Sequence, residues 1–156
     1  MNQSTMKTAG FTIVELIATL IITGILALAV YPRFVNRQTF DTRGFHDQTL
    51  AMLRYGQKVA IAQRTSVFFN TNATGTTLCL TYVANPTCNT TNAVLHPADR
   101  APFIRTVPSG VTVTASVAFS FSALGKPSPD SAVAMSVNGD GVVRAITVER
   151  ETGYVH

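Results

Sequence analysis

Tryptophan is missing from this sequence, cysteine occurs twice, histidine three times, and only 13% of residues are charged. Each scarcity excludes something. Two cysteines, Cys79 and Cys88, allow one intrachain bridge and rule out a densely cross-linked scaffold. With only His96 nearby, their spacing fits no zinc pattern. His46, His96 and His156 fall in different segments, no serine stands in a nucleophile-elbow pattern, and no Glu-x-x-His pairing occurs. Cys79 as a nucleophile would need a free, activated thiol, which the nearby Cys88 argues against. Asn138-Gly139-Asp140-Gly141 has the outline of a calcium loop but lacks the other carboxylates, including the distal glutamate. The reading is therefore of a protein that is not an enzyme and needs no metal and no cofactor. A formal net charge of +4 on so few charged residues is a thin positive balance. It argues mildly for anionic partners, nucleic acid or lipid head groups. There is no internal repeat and no low-complexity tail.

Charge is scarcest from Gly10 to Pro32. Between Phe11 and Tyr31 the one charged residue is Glu15, among apolar residues, glycine and the threonines Thr12, Thr19 and Thr23. As a helix at about 1.5 Å per residue, this run spans roughly 30 Å, the thickness of a bilayer's hydrocarbon core. Lys7 precedes it; Arg33 and Arg37 lie after it. A carboxylate inside such a run costs up to about 3 kcal/mol at its centre and less near the interface. Glu15 therefore either reaches back to head-group water, one turn inside the helix, or has a partner.

Gly10-Phe11-Thr12-x-x-Glu15, at the junction of a short polar leader and an apolar run, resembles the processing site of type IV prepilins and type II secretion pseudopilins. The resemblance implies cleavage between Gly10 and Phe11 by a membrane prepilin peptidase, which also methylates the new amine of Phe11. It implies that Glu15 neutralises the terminal ammonium of an adjacent subunit in an assembled filament. Two buried charges, each costly alone, are tolerable as a pair. Gly24 and Pro32, as helix interruptions, also stand where that family commonly has them.

Ala27-Leu28-Ala29 offers a competing reading, an ordinary secretory signal peptide. Against it, the apolar run is longer than a usual signal core of 7–15 residues and holds a glutamate. On orientation, Arg33 and Arg37 favour a cytoplasmic location for the chain beyond the apolar run, whereas the resemblance implies the periplasm. A Cys79–Cys88 disulfide would side with the periplasm, because disulfides persist in oxidising compartments. Closing so short a loop stabilises a domain by roughly 2.5–3 kcal/mol; the alternative is two free thiols.

After the apolar run, residues 32–40 can extend the helix, and Thr42-Arg43-Gly44 is the expected place for a bend or break. A second helix is expected from His46 to Arg64, with Leu50, Leu53, Gln57, Ala60, Ile61 and Arg64 at helical spacing, packing on a sheet. From Thr65 the period becomes two. Strands are expected at Val67–Phe69, Thr77–Val83, Phe103–Val107, Val111–Phe121 (one strand, or two joined by a bend), Ala132–Val137 and Val142–Glu149. Asn138–Gly141 is a tight hairpin signal. Asn72-Ala-Thr and Asn89-Thr-Thr are formal glycosylation acceptors and read as loop residues.

A helix followed by roughly seven strands extends the resemblance to GspH/FimT-type pseudopilins and minor pilins, including MshC-like minor pilins of mannose-sensitive haemagglutinin (MSHA) pili. Leu53–Arg64 leading into Val67–Phe69, Phe121–Pro127 and Arg144–Val155 carry it; residues 70–108 match nothing nameable. The expected fold is α+β, a long N-terminal hydrophobic helix packed on an antiparallel sheet or sandwich head. The expected organisation is a leader at 1–10, a transmembrane and filament-core helix at 11–31, a periplasmic helical extension at 32–64 and a β-rich head at 65–156. The implied partners are other pilin or pseudopilin subunits, the prepilin peptidase and an inner-membrane assembly platform. The implied setting is the bacterial inner membrane with the head in the periplasm, then a pilus or pseudopilus. A DNA-binding role in uptake is the alternative of another class, since some FimT-like relatives bind DNA through C-terminal basic residues. Here these would be Arg144, Arg150 and Lys126, with Glu149 and Glu151 cancelling much of the Arg150 field.

Overall fold

The computed structural model describes the backbone of residues 11–35, 37–114 and 118–156, and the side chains of these except 28–35 and 37. The chain divides into two compact units, Met1–Arg37 and Gln38–His156. The expected leader and Gly10 lie outside the described residues.

Helix α1 spans Ile13–Val35 and includes both Gly24 and Pro32 within its helical span, so neither ends it. Every described side chain from Phe11 to Ala27 is exposed. The threonines inside it satisfy themselves: the Thr19 hydroxyl donates to the Leu16 carbonyl at 2.9 Å and that of Thr23 to the Thr19 carbonyl at 2.6 Å. Such back-bonding lets a hydroxyl sit among apolar neighbours. Among the described residues no helix is long and apolar enough to cross a membrane. The span expected at 11–31 runs into residues 28–31, whose side chains lie outside the described set.

Helix α2 spans Arg37–Gln63 without interruption, so of the bend or break expected at Thr42–Gly44 the break is corrected. Thr42 is buried, its hydroxyl donates to the Gln38 carbonyl at 2.6 Å, and its side chain packs on Gly139. This packing outweighs the roughly 1 kcal/mol that Gly44 costs a helix. The buried face is Phe45, Thr49, Met52, Leu53, Gly56, Val59 and Ala60. Leu53 and Ala60 were expected there. Ile61 and Arg64 are exposed instead, because the face turns through Gly56 and Val59. Gly56 lets the helix approach Leu80 and Val67 closely.

Eight strands complete the chain: β1 Val67–Thr71, β2 Thr77–Thr81, β3 Ile104–Thr106, β4 Thr112–Thr114, β5 Phe119–Phe121, β6 Pro127–Ser128, β7 Val133–Gly139 and β8 Val142–Val148. They form a five-stranded sheet ordered β3-β2-β1-β5-β6 and a three-stranded sheet ordered β4-β7-β8, all pairings antiparallel. The stretch 111–121 is thus two strands in two different sheets; residues 115–117 between them lie outside the described set. One core gathers Val67 and Phe69, Leu78 and Leu80, Phe119 and Phe121, Val133, Met135 and Val137, and Ile146 and Val148, together with the buried apolar residues of α2. Asp140 and Gly141, with φ of 52° and 76°, make the two-residue turn of the β7–β8 hairpin; two successive left-handed residues match the strand twist.

Two devices finish the unit. Cys79 and Cys88 form a disulfide with Cα atoms 5.5 Å apart. It pins the loop after β2 over the face of β2 opposite Leu78 and Leu80, so both faces of that strand are buried. The C-terminal segment runs along β8, with Thr147 and His156 exchanging two backbone bonds. It is held to α2 by Arg54, which donates twice to the Val155 carbonyl at 3.1 and 2.9 Å. Gln57 donates to the carbonyls of Gly125 and Thr152 at 3.1 and 2.8 Å.

Candidate functional site

The start of α1 is built from its first described residues. Thr12 stands at the N-cap: its carbonyl accepts from the Leu16 N–H at 3.1 Å and its hydroxyl from the Glu15 N–H at 3.3 Å. Thr12-x-x-Glu15 is a capping-box pattern, legible in the sequence, and it sets the helix to begin after Thr12. Glu15 lies in the first turn, where unpaired N–H groups give the helix end a partial positive charge that favours a carboxylate. Thr12, Glu15, Thr19 and Thr23, spaced three, four and four apart, share one side of the helix. Phe11 is 71% exposed. The structure therefore presents an aromatic residue at the helix start and a carboxylate one turn on, with apolar side chains around them. Gly10, the other half of the expected cleavage site, lies outside the described residues.

The C-terminal basic residues are placed differently from one another. Arg144 makes a two-pronged ion pair with Asp140 at 3.0 and 3.2 Å, beside the hairpin turn. Its hydrogen bonds hold the Asp140 carboxyl below its ordinary 3.8. Arg150 pairs in the same way with Asp130 at 3.2 and 3.0 Å and lowers that carboxyl too, while Glu151 lies 3.5 Å from its Nε. Lys126 reaches Glu151 at 3.2 Å. So Lys126, Glu151, Arg150 and Asp130 form one chain of alternating charge and Arg144 is held elsewhere. Such pairs leave little net field for a phosphate. The histidines are likewise separate: His46 on Asp47, His96 on Asp99, His156 on Glu149. Among the described residues no group of three His, Cys, Asp or Glu could hold a metal ion. Asn72 closes the β1–β2 turn, its Oδ1 accepting from the N–H groups of Thr76 and Thr77.

The prokaryotic N-terminal methylation motif matches residues 5–31. The fold matches the type IV minor pilin FimU of Pseudomonas aeruginosa, with a TM-score of 0.54 at 16% identity over 78% of this chain and 87% of that one. It also matches the minor pseudopilin EpsH of the Vibrio cholerae type 2 secretion system, with a TM-score of 0.56 at 10% identity over 74% of this chain and 94% of that one. This chain's α+β fold, with helices and two antiparallel sheets, is pilin-like. No curated protein sequence matches it. The two named structures are a minor pilin and a minor pseudopilin, and nothing in the described residues of this chain supplies positive evidence for catalysis. Sequence reasoning did not anticipate a cavity between α2 and the loop before β3, lined by Arg54, Tyr55, Lys58, His96 and Phe103 among others. Arg54 and Lys58, one turn apart, were the visible half of it.

Proposed function

We propose that this pilin-like chain is a minor pilin or minor pseudopilin subunit. It is inserted in the bacterial inner membrane with its head in the periplasm, and a prepilin peptidase cuts it between Gly10 and Phe11 and methylates Phe11. An inner-membrane assembly platform then builds it, with other pilin subunits, into an MSHA-like type IV pilus or a type II secretion pseudopilus, where it acts in assembly or initiation. The observation that carries this reading is that every described side chain from Phe11 to Ala27, at the start of α1 and along it, is exposed and most are apolar, in a stretch inside the matched methylation motif. Such a surface needs lipid or other apolar helices around it. Glu15 at its start is then the residue that needs a partner, and the methylated ammonium of a neighbouring Phe11 is a fitting one. The disulfide supports an oxidising compartment for the head.

Intact mass tests the proposal. Co-expressed with a prepilin peptidase, the protein loses Met1–Gly10 and gains one methyl. A product beginning at Val30 would show ordinary signal cleavage after Ala29 and overturn it.

A further inference from the structure

We propose that the cavity between α2 and the His96–Phe103 loop binds an acidic peptide segment of a different protein, one that inserts an apolar side chain and sets carboxylates on the rim. The cavity measures about 390 Å³, and its lining includes Ala51, Arg54, Tyr55, Lys58, His96 and Phe103. That is within the range of sites that take one compact group. Its wall is fixed in advance. The Phe103 ring lies 5.6 Å from that of Tyr55 and 4.7 Å from that of His96. The Tyr55 hydroxyl donates to the Leu95 carbonyl and the Arg54 guanidinium is anchored on Val155. Little ordering is left to be done on binding.

The charge around it is unbalanced. Lys126, Arg144 and Arg150 are all ion-paired. Among the described residues Arg54 and Lys58 on the rim have no carboxylate partner. Neither has Arg105, whose guanidinium lies 5.1 Å from the Phe103 ring centre, nor Arg100 on the same loop. The two nearest acids in sequence, Asp47 and Asp99, are engaged by His46 and His96. A cluster of unpaired cations at an apolar cavity selects a partner with negative charge beside an apolar anchor.

Two other occupants fit less well. A second copy of the chain has eight carboxylate side chains. Six are ion-paired within the chain. The remaining Glu15 and Asp41 are far apart in sequence and have no acidic neighbour, so the chain holds no acidic segment to offer. A nucleic acid would stack bases on open rings, but Phe103 is only 5% exposed and Arg105 occupies its face.

The test uses the full chain in detergent micelles and fluorescence anisotropy. The probes are a labelled ten-residue peptide with one Phe among aspartates, the same peptide with lysines for aspartates, a duplex oligonucleotide, and anionic phospholipid vesicles. The acidic peptide should bind about tenfold or more tightly than the lysine peptide, and less tightly as salt rises. Lys58→Glu, which reverses a rim charge, should weaken it about tenfold, and Ala51→Phe, which fills the cavity without changing charge, should do likewise. Lys126→Ala should change nothing. Equal binding of the two peptides, or acidic-peptide binding indifferent to both cavity variants, would overturn the proposal. So would Lys58-dependent binding of the oligonucleotide or the vesicles without the peptide, which would reassign the site to phosphate. None of these readouts depends on cleavage at Gly10, so failure here leaves the pilin reading standing.

Discussion

The two helices are consecutive in sequence and similar in length, 23 and 27 residues, yet they use their residues in opposite ways. α1 is nearly all apolar, and its described side chains from Ile13 to Ala27 are all exposed. α2 is mostly polar, and it buries a continuous face that includes two threonines and a glycine. Burial within this chain thus follows spacing and not hydrophobicity: α2 has one apolar stripe and a sheet to receive it. α1 is apolar nearly all round, which within one domain would mark a core helix and here leaves the covering to another phase or other molecules. The corollary is that substitutions in α2 should be read out as stability and substitutions in α1 as assembly.

The largest effect is expected at Glu15. If its carboxylate faces a neighbour's ammonium, Glu15→Val leaves cleavage and insertion intact but lowers recovery in sheared filaments, since breaking a buried pair costs about 3–5 kcal/mol. Glu15→Gln should rank between, keeping a polar acceptor without the charge. The backbone N–H of residue 15 can bond the Thr12 hydroxyl in each variant, so that half of the helix cap is common to the series. Equal recovery of all three would reduce Glu15 to a helix-end charge and remove the contrast between the helices.

Next comes the buried face of α2. Leu53 is fully buried against the core, and Leu53→Ala should cost about 2–5 kcal/mol in thermal or denaturant unfolding. Leu20→Ala, at an exposed position of α1, should leave that transition in place. A comparable loss from Leu20→Ala would mean that α1 contributes to the fold of the second unit.

The disulfide ranks third. Ser at both Cys79 and Cys88 should lower stability by roughly 2.5–3 kcal/mol while membrane insertion is unchanged. A non-reducing peptide map should show the linked pair, and two freely alkylated thiols in the native protein would contradict it.

How much of this was legible in the sequence depends on whether neighbours in the chain are neighbours in space. The methylation motif, the Asn138–Gly141 turn and most strands could be read, because each is set by residues within a few positions of each other. The sheet change within 111–121 could not be read. Val113 on β4 pairs with Val137 of one sheet and Phe119 on β5 with Phe69 of the other, and an alternating pattern is identical in both. The buried face of α2 was half legible: Thr42, Thr49 and Gly56 are not apolar signals, and for Thr42 and Gly56 only Gly139 and Leu80 opposite explain them. For Arg150 the sequence offered Glu149 and Glu151 as cancelling charges. The two-pronged partner is Asp130, twenty residues back, and Glu149 instead holds His156. The cavity at Phe103 joins α2 to a loop forty residues on, which no local pattern announces.

The smallest effect gives the sharpest comparison of the helices. Gly44 in α2 and Gly24 in α1 each stand in a helix, neither has a left-handed backbone, and a Cβ on either would meet nothing within 4 Å. For a lone chain, alanine at either should stabilise its helix by about 0.5–1 kcal/mol, because glycine loses more backbone freedom on folding. For Gly44→Ala that is the whole expectation: a small rise in unfolding midpoint and unchanged incorporation into filaments. Gly24→Ala should give a similar gain in helicity in micelles. If α1 packs against other apolar helices, however, the missing Cβ is what lets a neighbouring backbone approach, and recovery in sheared filaments should fall. The glycine at 24 then serves an assembled state and the glycine at 44 serves none. Equal filament recovery of the two variants would show that α1 is covered by something that does not need close backbone approach, such as lipid alone.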